Sequence, residues 1–378
     1  MTNFQKSSNN FLLILQSNSP GEVSNWVIPF AQIFKSIISQ SSIVVYLTPC
    51  QYASQSEVNV LKQSGLIDTV YSPKETLKKL KELPFSIKHN YQNGAVFFLG
   101  GDPIYSTLLS YKYKLPCFGY SDHNQSLGFK YTKTYKKAEY GNLMVEKVNQ
   151  FLSTSKEKKK QYDLVIFTGS RPQHFNAFFP IALETVLQLK KEKPQLNCLI
   201  HISPFISIEK TNATIDELKI NNIPYSTLSS LEVLNKTKLL LTLAGTNTAE
   251  AMYLKVPMLV LFPLNFPNLI ILDGIAGLIS KLPIVGILIK KTILFFLKKT
   301  VKFVSHPNRE TNKALVPEII DKVTAKQLSK ALTKLLENEQ QLKKIKENLN
   351  QIKHPKNVAK TIILDMLKKI NYQSSKLA

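Results

Sequence analysis

The sequence predicts an α/β protein made of two doubly wound, Rossmann-like domains. Three observations lead there. Short apolar runs alternate with longer mixed segments in each half of the chain, the rhythm of βαβ units. A lysine-rich polar stretch separates the two series, and several apolar runs break directly into turns that open helices. The 378 residues are enough for two domains at roughly 100–200 residues each.

In the first half, Phe11–Leu15, Ile43–Leu47, Ala95–Leu99 and Leu115–Gly119 read as strands, their apolar continuity being that of strands covered on both faces. Asn25–Ser39 and Glu75–Glu82 have helical character between them. Ser153–Gln161, carrying Lys156, Lys158, Lys159 and Lys160, reads as a linker. The second series has strand-like Leu164–Thr168, Leu196–Ile202, Leu239–Leu243 and Met258–Phe262, with helix-like Asn176–Lys191 and Thr248–Leu254. From Ala325 to Lys369 lysine and leucine recur at helical spacing. The expected domains are 1–155, 156–345 and a helical tail 346–378 that packs back across both. Two such halves on a linker suggest a GT-B-type architecture with its active site in the interdomain cleft.

Composition narrows the chemistry. Hydrophobic residues make up 44%, which excludes a mostly disordered chain. Cys50, Cys117 and Cys198 have neither paired nor metal-type spacing, so a reducing cytoplasm is the expected home. The apolar run Phe11–Leu15 is too short for a signal-peptide core. The formal charge of +23 favours anionic partners. Among 49 basic residues only Arg171 and Arg309 are arginine. An AT-rich coding bias explains such lysine excess, and it makes the two arginines informative, since a guanidinium grips phosphate with a fork that lysine lacks. The plain alternative is that two arginines escaped the bias.

From Gly274 to Arg309 there is no acidic residue. Leu282–Ile289 and Thr292–Leu297 are apolar runs punctuated by Lys281, Lys290, Lys291, Lys298, Lys299 and Lys302, and none reaches the roughly 18 residues of a spanning helix. Apolar stretches edged with lysine describe a segment, 274–304, lying in the headgroup layer of an anionic membrane. A buried helix pair with snorkelling lysines is the competing reading.

Four turns carry candidate chemistry. Leu241–Glu250, LTLAGTNTAE, is a strand breaking at Gly245 into a helix that Thr246, Asn247 and Thr248 could cap. Amides at such a start attract a diphosphate, and Glu250 could accept from a ribose hydroxyl. Leu164–Arg171, LVIFTGSR, repeats the logic with Gly169, Ser170 and Arg171. Ser19–Trp26, SPGEVSNW, sets Glu22 and Ser24 after the first strand. Phe97–Pro103, FFLGGDP, places Asp102 past two glycines that admit a close ligand, where a carboxylate could act as general base. Each also reads as an ordinary capped turn. His123, His174, His201 and His306 show no metal-type spacing and read as structural. No Walker loop, nucleophile elbow or zinc signature occurs, so neither metal nor cofactor is expected.

Taken together these motifs resemble the lipid-A-disaccharide synthase family, in order from about Leu13 to Leu335. Ser19–Ser24 resembles its Gly-Glu-x-Ser turn, Asp102-Pro103 its Asp/Pro motif, and Gly169-Ser170-Arg171 its Gly-Ser-Arg motif. Gly245-Thr246-Asn247-Thr248-Ala249-Glu250 with Val256-Pro257-Met258 is similar to its donor signature, and Pro307-Asn308 followed by Pro317-Glu318 to its Pro-Asn…Val-Pro-Glu spacing. The resemblance implies an inverting, metal-independent transfer from a UDP-sugar to a lipid-linked acceptor. Asp102, or Glu22, is then the base, Arg171 and Thr246–Thr248 steady the diphosphate, and Glu250 and Asn308 orient the nucleotide. It also implies a peripheral place on the inner face of the cytoplasmic membrane. Asn25-Trp26 replaces the family's Gly-Asp, and Gln173-His174 its acidic residue after Gly-Ser-Arg, so the donor side is the better kept. The rivals are a peptidoglycan-type glucosaminyltransferase acting on a polyprenyl-linked acceptor and a non-catalytic lipid-binding relic. A nucleic-acid binder would interleave aromatic and basic residues on one surface, and the sequence shows no such pattern.

Overall fold

A computed structural model describes residues 11–50, 53–82, 91, 93–155, 159–266 and 301–372. They form two compact units, one comprising 1–153 and 355–378, the other 154–354. Each unit is built on a six-stranded, wholly parallel sheet.

The first unit runs β1 (Phe11–Ser17), α1 (Pro20–Glu22), a π-turn (Val23–Val27), α2 (Ile28–Ile37), β2 (Ser41–Leu47), α3 (Glu57–Gln63), β3 (Thr69–Tyr71) and α4 (Pro73–Lys81). It continues through β4 (Asn93–Phe98), α5 (Pro103–Tyr113), β5 (Cys117–Ser121), β6 (Lys133–Lys136), α6 (Lys137–Tyr140) and α7 (Val145–Thr154). The sheet order is β3-β2-β1-β4-β5-β6. Side chains alternate across it. Leu12, Ile14, Val44, Tyr46, Val96 and Phe98 form one core with Leu109 and Tyr113 of α5. The odd-numbered residues face α2, with Phe11 against Phe34 and Phe30 against Phe97. This period of two is what places α2 and α5 on opposite faces of one sheet.

The second unit runs β7 (Tyr162–Phe167), α8 (Pro172–Glu192), β8 (Cys198–His201), α9 (Ile208–Ile220), β9 (Tyr225–Ser226), α10 (Ser230–Leu234), β10 (Thr237–Leu243), α11 (Asn247–Tyr253) and β11 (Met258–Leu261). After the stretch outside the described residues come α12 (His306–Thr311), β12 (Glu318–Ile319), α13 (Ala325–Glu337) and α14 (Glu339–Asn350). The order is β12-β11-β10-β7-β8-β9. Leu164, Ile166, Leu239, Leu241 and Leu259 pack under α8 and α13 through Phe175, Phe178, Ala182, Leu328 and Leu332.

The last helix, α15 (Val358–Lys369), belongs to the first unit and packs on α2 and α6. Its start has no side-chain cap, because Asn357 sits in the left-handed region. The carboxylate of Glu146, buried in α7, takes the Ala359 N–H at 3.0 Å instead. Burial pushes that carboxyl above its ordinary value although backbone N–H groups favour the anion. Near the other end, Asp365 accepts from Lys133 Nζ at 3.0 Å and from the Tyr135 hydroxyl at 2.9 Å.

The four strands absent from the periodicity reading are β3, β6, β9 and β12. They are the outer edges of the two sheets and only two to four residues long. A strand with a half-solvated edge needs no apolar run, so hydrophobicity leaves no mark. α5 also went unread, since its outward positions Ile104, Leu108 and Tyr111 are apolar while its inward ones mix Ser106 and Lys112 with Leu109 and Tyr113, so no polar stripe gives a period.

Asp365→Asn should loosen α15 and lower the stability of the first unit by about 1–2 kcal/mol, as for losing hydrogen bonds to a charged group. Burial opposes ionisation of Asp365, yet Lys133 and Tyr135 outweigh it and hold the carboxyl below its ordinary value. Its contribution is therefore complete above the unfolded aspartate range and is lost as pH falls through the lower, folded value. Denaturant melts of variant and wild type should differ near neutrality and converge in acid.

Candidate active site

In a doubly wound sheet, ligands bind beyond the carboxyl ends of the strands where the strand order reverses. Each unit has one such point. In the first it lies between β1 and β4, in the second between β7 and β10. Glu22, Ser24 and Asp102 follow β1 and β4; Gly169–Arg171 and Gly245–Thr248 follow β7 and β10. The four motifs singled out from sequence thus fall at the two switch points.

In the second unit, Gly169 turns the chain at φ +100°, a region that favours glycine, and a Cβ there would lie 3.2 Å from that of His174. Arg171 is the N-cap of α8 in extended conformation, followed by Pro172 at the first helical position. It is half-buried, as are Gly169 and Ser170. After β10, Gly245 is exposed, and the place a Cβ would take has no atom within 4 Å. The expected capping differs from what is seen. Thr246 occupies the N-cap without a side-chain bond, and the Thr248 hydroxyl donates back to the Gly245 carbonyl at 2.7 Å. That hydroxyl also accepts the His306 N–H at 3.0 Å, which ties α12 to α11. Asn247 is half-buried, and Glu250 is buried within α11.

A cavity of about 440 Å³ opens here, lined by Ala244, Gly245, Phe262, Val301, Phe303, Val304, His306 and Arg309. His306 and Arg309 were not among the site residues read from sequence. The scarcity of arginine pointed to Arg309, but only the fold brings it beside Gly245. Residues 274–300 of the proposed membrane segment lie outside the described residues; its end, 301–304, contributes to this wall.

Asn308 has a different place from a nucleotide contact. Its amide donates to the Val316 carbonyl and the Glu318 carboxylate, both at 2.8 Å, and accepts from the N–H groups of Leu315 (2.8 Å) and Val316 (3.0 Å). Two donors and two lone pairs are the whole capacity of an amide. Glu318 further accepts from the Val304 and Ser305 N–H groups at 3.0 and 2.9 Å. The Pro-Asn…Pro-Glu spacing is therefore a clamp that holds the start of α12 to the edge strand β12 and sets the cavity wall.

In the first unit, Asp102 is the exposed N-cap of α5, accepting the Ile104 N–H at 2.9 Å. The two glycines before it make room for the protein itself. A Cβ at Gly100 would meet the Glu22 carboxylate at 2.3 Å, and one at Gly101 the Thr48 hydroxyl at 2.7 Å. Glu22 completes a capping box with Ser19. Ser24 accepts from Lys147 Nζ at 2.8 Å, a partner the sequence reading missed. Asn25 and Trp26 lie in the π-turn and are buried, Trp26 edge-on to Tyr120. Among the described residues, Asn25 Oδ1 and Trp26 Nε1 have no hydrogen-bond partner. Among the described residues no three His, Cys, Asp or Glu side chains converge as a metal site.

The profile of the family described as Lipid-A-disaccharide synthetase matches residues 131–363, more than half of the chain. No curated protein matches the chain in sequence. Among solved structures, the chain is similar to S. aureus MnaA in complex with UDP, with a TM-score of 0.57 at 13% identity over 97% of this chain and 98% of that one. It is also similar to the UDP-GlcNAc 2-epimerase of Neisseria meningitidis bound to UDP-GlcNAc, at 0.55 and 13% over 95% and 100%. The Methanocaldococcus jannaschii UDP-GlcNAc 2-epimerase with UDP-GlcNAc and UDP gives 0.54 and 13% over 95% and 99%. At such identities the likeness is one of fold.

Asn308→Ala should cost the second unit about 2–4 kcal/mol, because it leaves the Leu315 and Val316 N–H groups and the Val316 carbonyl without their amide partner and takes one donor from Glu318. Asn308→Asp, which sets a second carboxylate against Glu318, should cost at least as much. Urea denaturation followed by circular dichroism checks both; a loss under about 0.5 kcal/mol would mean the clamp is not structural.

Proposed function

We propose, because this chain belongs to the lipid-A-disaccharide synthetase family and is a glycosyltransferase, that it moves an acylated glucosamine-type sugar from a UDP donor to a lipid-linked sugar acceptor and releases UDP. The observation that carries the donor half is the cavity beside Gly245. Its volume is within the range of small-molecule sites, and Arg309 and the Ala244–Gly245 backbone supply it with charge and open space. Structures that share the fold hold UDP or UDP-GlcNAc, which supports a nucleotide sugar as the donor.

In this reading the diphosphate lies against Gly245, Thr246 and Asn247, with the Gly169–Arg171 turn across the same switch point. The departing UDP gathers negative charge in the transition state, and Arg171 and Arg309 lower its energy by being fixed there beforehand. Asn308 is a positioning residue, acting through the wall it clamps, and Glu250, buried in α11, would orient the nucleotide. Asp102 is the preferred base. Its Oδ1 caps α5 and leaves a second oxygen on an exposed carboxylate to take the acceptor proton. Glu22 is less suited, being engaged in its capping box and packed over Gly100. Ser24, held by Lys147, serves the acceptor side.

The lipid anchor of the acceptor puts the enzyme at the inner face of the cytoplasmic membrane, peripherally. Among the described residues no helix is long and apolar enough to cross a membrane.

Arg171→Lys should weaken UDP binding by about 1–3 kcal/mol, the worth of a charge-assisted, forked contact. Arg309→Gln should weaken it as well. Calorimetric UDP affinity unchanged in both variants would move the donor site elsewhere. Asp102→Asn should retain UDP binding and lose on the order of 10²-fold or more in transfer from a UDP-sugar; full activity would disqualify it as the base.

A further inference from the structure

The outward face of the first unit under α4 and α5 carries surface chemistry that neither core nor donor site uses. Ile104, Leu108 and Tyr111 are 57%, 45% and 59% exposed. They stand at i, i+4 and i+7 of α5, one stripe along the helix. A helix covering a sheet normally turns polar residues outward, and here the outward stripe is apolar throughout. Beside it, Phe129 in the β5–β6 connection is 91% exposed. The Tyr131 hydroxyl, two residues on, donates to the Pro103 carbonyl at 3.0 Å and fastens that connection to the start of α5. Lys130 lies over both rings, its Nζ 5.4 Å from the Tyr111 centroid and 5.0 Å from that of Phe129.

Among the described residues, the charge around this patch is mostly positive. α4 covers the same sheet face and touches α5. Its Lys74, Lys78 and Lys81, again at i, i+4 and i+7, are exposed around Leu77. Lys114 closes α5 at its far end, exposed. Two acidic groups stand against five lysines: Glu75, whose carboxylate is held in the capping box of Ser72, and Glu82, which is paired with Lys79 at 2.8 Å. Past its N-cap, α5 carries no carboxylate.

We propose that this face docks the first unit on an anionic phospholipid bilayer, with Ile104, Leu108, Tyr111 and Phe129 entering the interface and Lys74, Lys78, Lys81, Lys114 and Lys130 meeting headgroup charge. Apolar side chains supply a salt-resistant share of binding and the lysines a screened share. The same helix begins at Asp102, so docking brings the candidate base to the surface in which a lipid-linked acceptor resides. That consequence rests on the proposed reaction; the docking itself does not.

The test is flotation of the full-length protein with phosphatidylcholine vesicles, alone or with 30% phosphatidylglycerol (on the order of the anionic content that draws basic segments), without donor or acceptor. Wild type should bind the anionic vesicles and weaken in high salt. Ile104→Ser/Leu108→Ser/Tyr111→Ser/Phe129→Ser should bind about tenfold less and keep the wild-type circular-dichroism spectrum and urea midpoint, which shows the first unit intact. Lys78→Glu/Lys130→Glu should lose mainly the salt-sensitive share. In Phe129→Trp, brominated lipid should quench the new indole beyond the background of Trp26. Wild-type binding by the quadruple variant, or an unquenched indole, overturns the proposal. So does a result in which the variants alter sedimentation of the free protein but not vesicle binding, since the face would then pair copies of the chain. Failure of transfer activity with docking intact would count against the reaction alone.

Discussion

Two reversals of strand order organise this molecule. In each sheet the first strand, β1 or β7, takes a central place; the chain then builds outward on one side and returns to build on the other. The helices that follow the two middle strands must leave in opposite directions, as α2 and α5 do across the first sheet. The loops at their starts diverge and leave a crevice that no side chain is obliged to fill. Gly245, with open space where a Cβ would be, and the extended N-cap Arg171 both stand at such a crevice. The rest of the site depends on that geometry, because neither turn would face anything if the strand order ran straight through.

The crevice needs a wall, and the wall is polar chemistry rather than packing. Glu318 gathers the N–H groups of Val304 and Ser305 and the Asn308 amide on one carboxylate, while Asn308 returns two acceptor bonds to Leu315 and Val316. Buried polar groups are costly unless every one is paired, and here they pair only in one arrangement of α12 against β12. His306 and Arg309 inherit their positions from it, and the bond from His306 N–H to Thr248 carries it on to α11. A network of this kind specifies shape more sharply than apolar contact does, because a shift of one bond length leaves charge unpaired.

The first unit shows the same economy applied to glycine. Gly100 and Gly101 lie at positive φ, and the space their missing Cβ atoms leave holds Glu22, Thr48 and Asn18. The turn is tight because the protein fills it. Asp102 follows as an exposed cap, so of the two carboxylates at this switch point one is held in a capping box against Gly100 and the other is exposed. The π-turn that carries Asn25 and Trp26 is itself an uncommon local form, met often at functional sites. Among the described residues its buried Asn25 Oδ1 and Trp26 Nε1 have no hydrogen-bond partner.

The sequence by itself determined the class of fold, the central strands and the four loops that matter. Each rests on a local signal: a continuous apolar run for a strand covered on both faces, and glycine with hydroxyl or carboxylate residues where a strand meets a helix. Only the tertiary structure decided what those loops touch. Edge strands β3, β6, β9 and β12 are too short and too solvated to leave a hydrophobic trace. Asn308 looks the same in sequence whether its amide turns to a ligand or inward, and its four partners are the backbone and carboxylate of a segment that arrives only on folding. Arg309 stood out by rarity, yet its place beside Gly245 comes from a clamp ten residues long and a helix contact across some sixty. The apolar outer stripe of α5 went unread for the opposite reason, as periodicity detects a contrast between faces and this helix has none. Local chemistry is written in the order of residues; which groups meet, and which are already satisfied when they do, depends on long-range hydrogen bonds that no window of sequence contains.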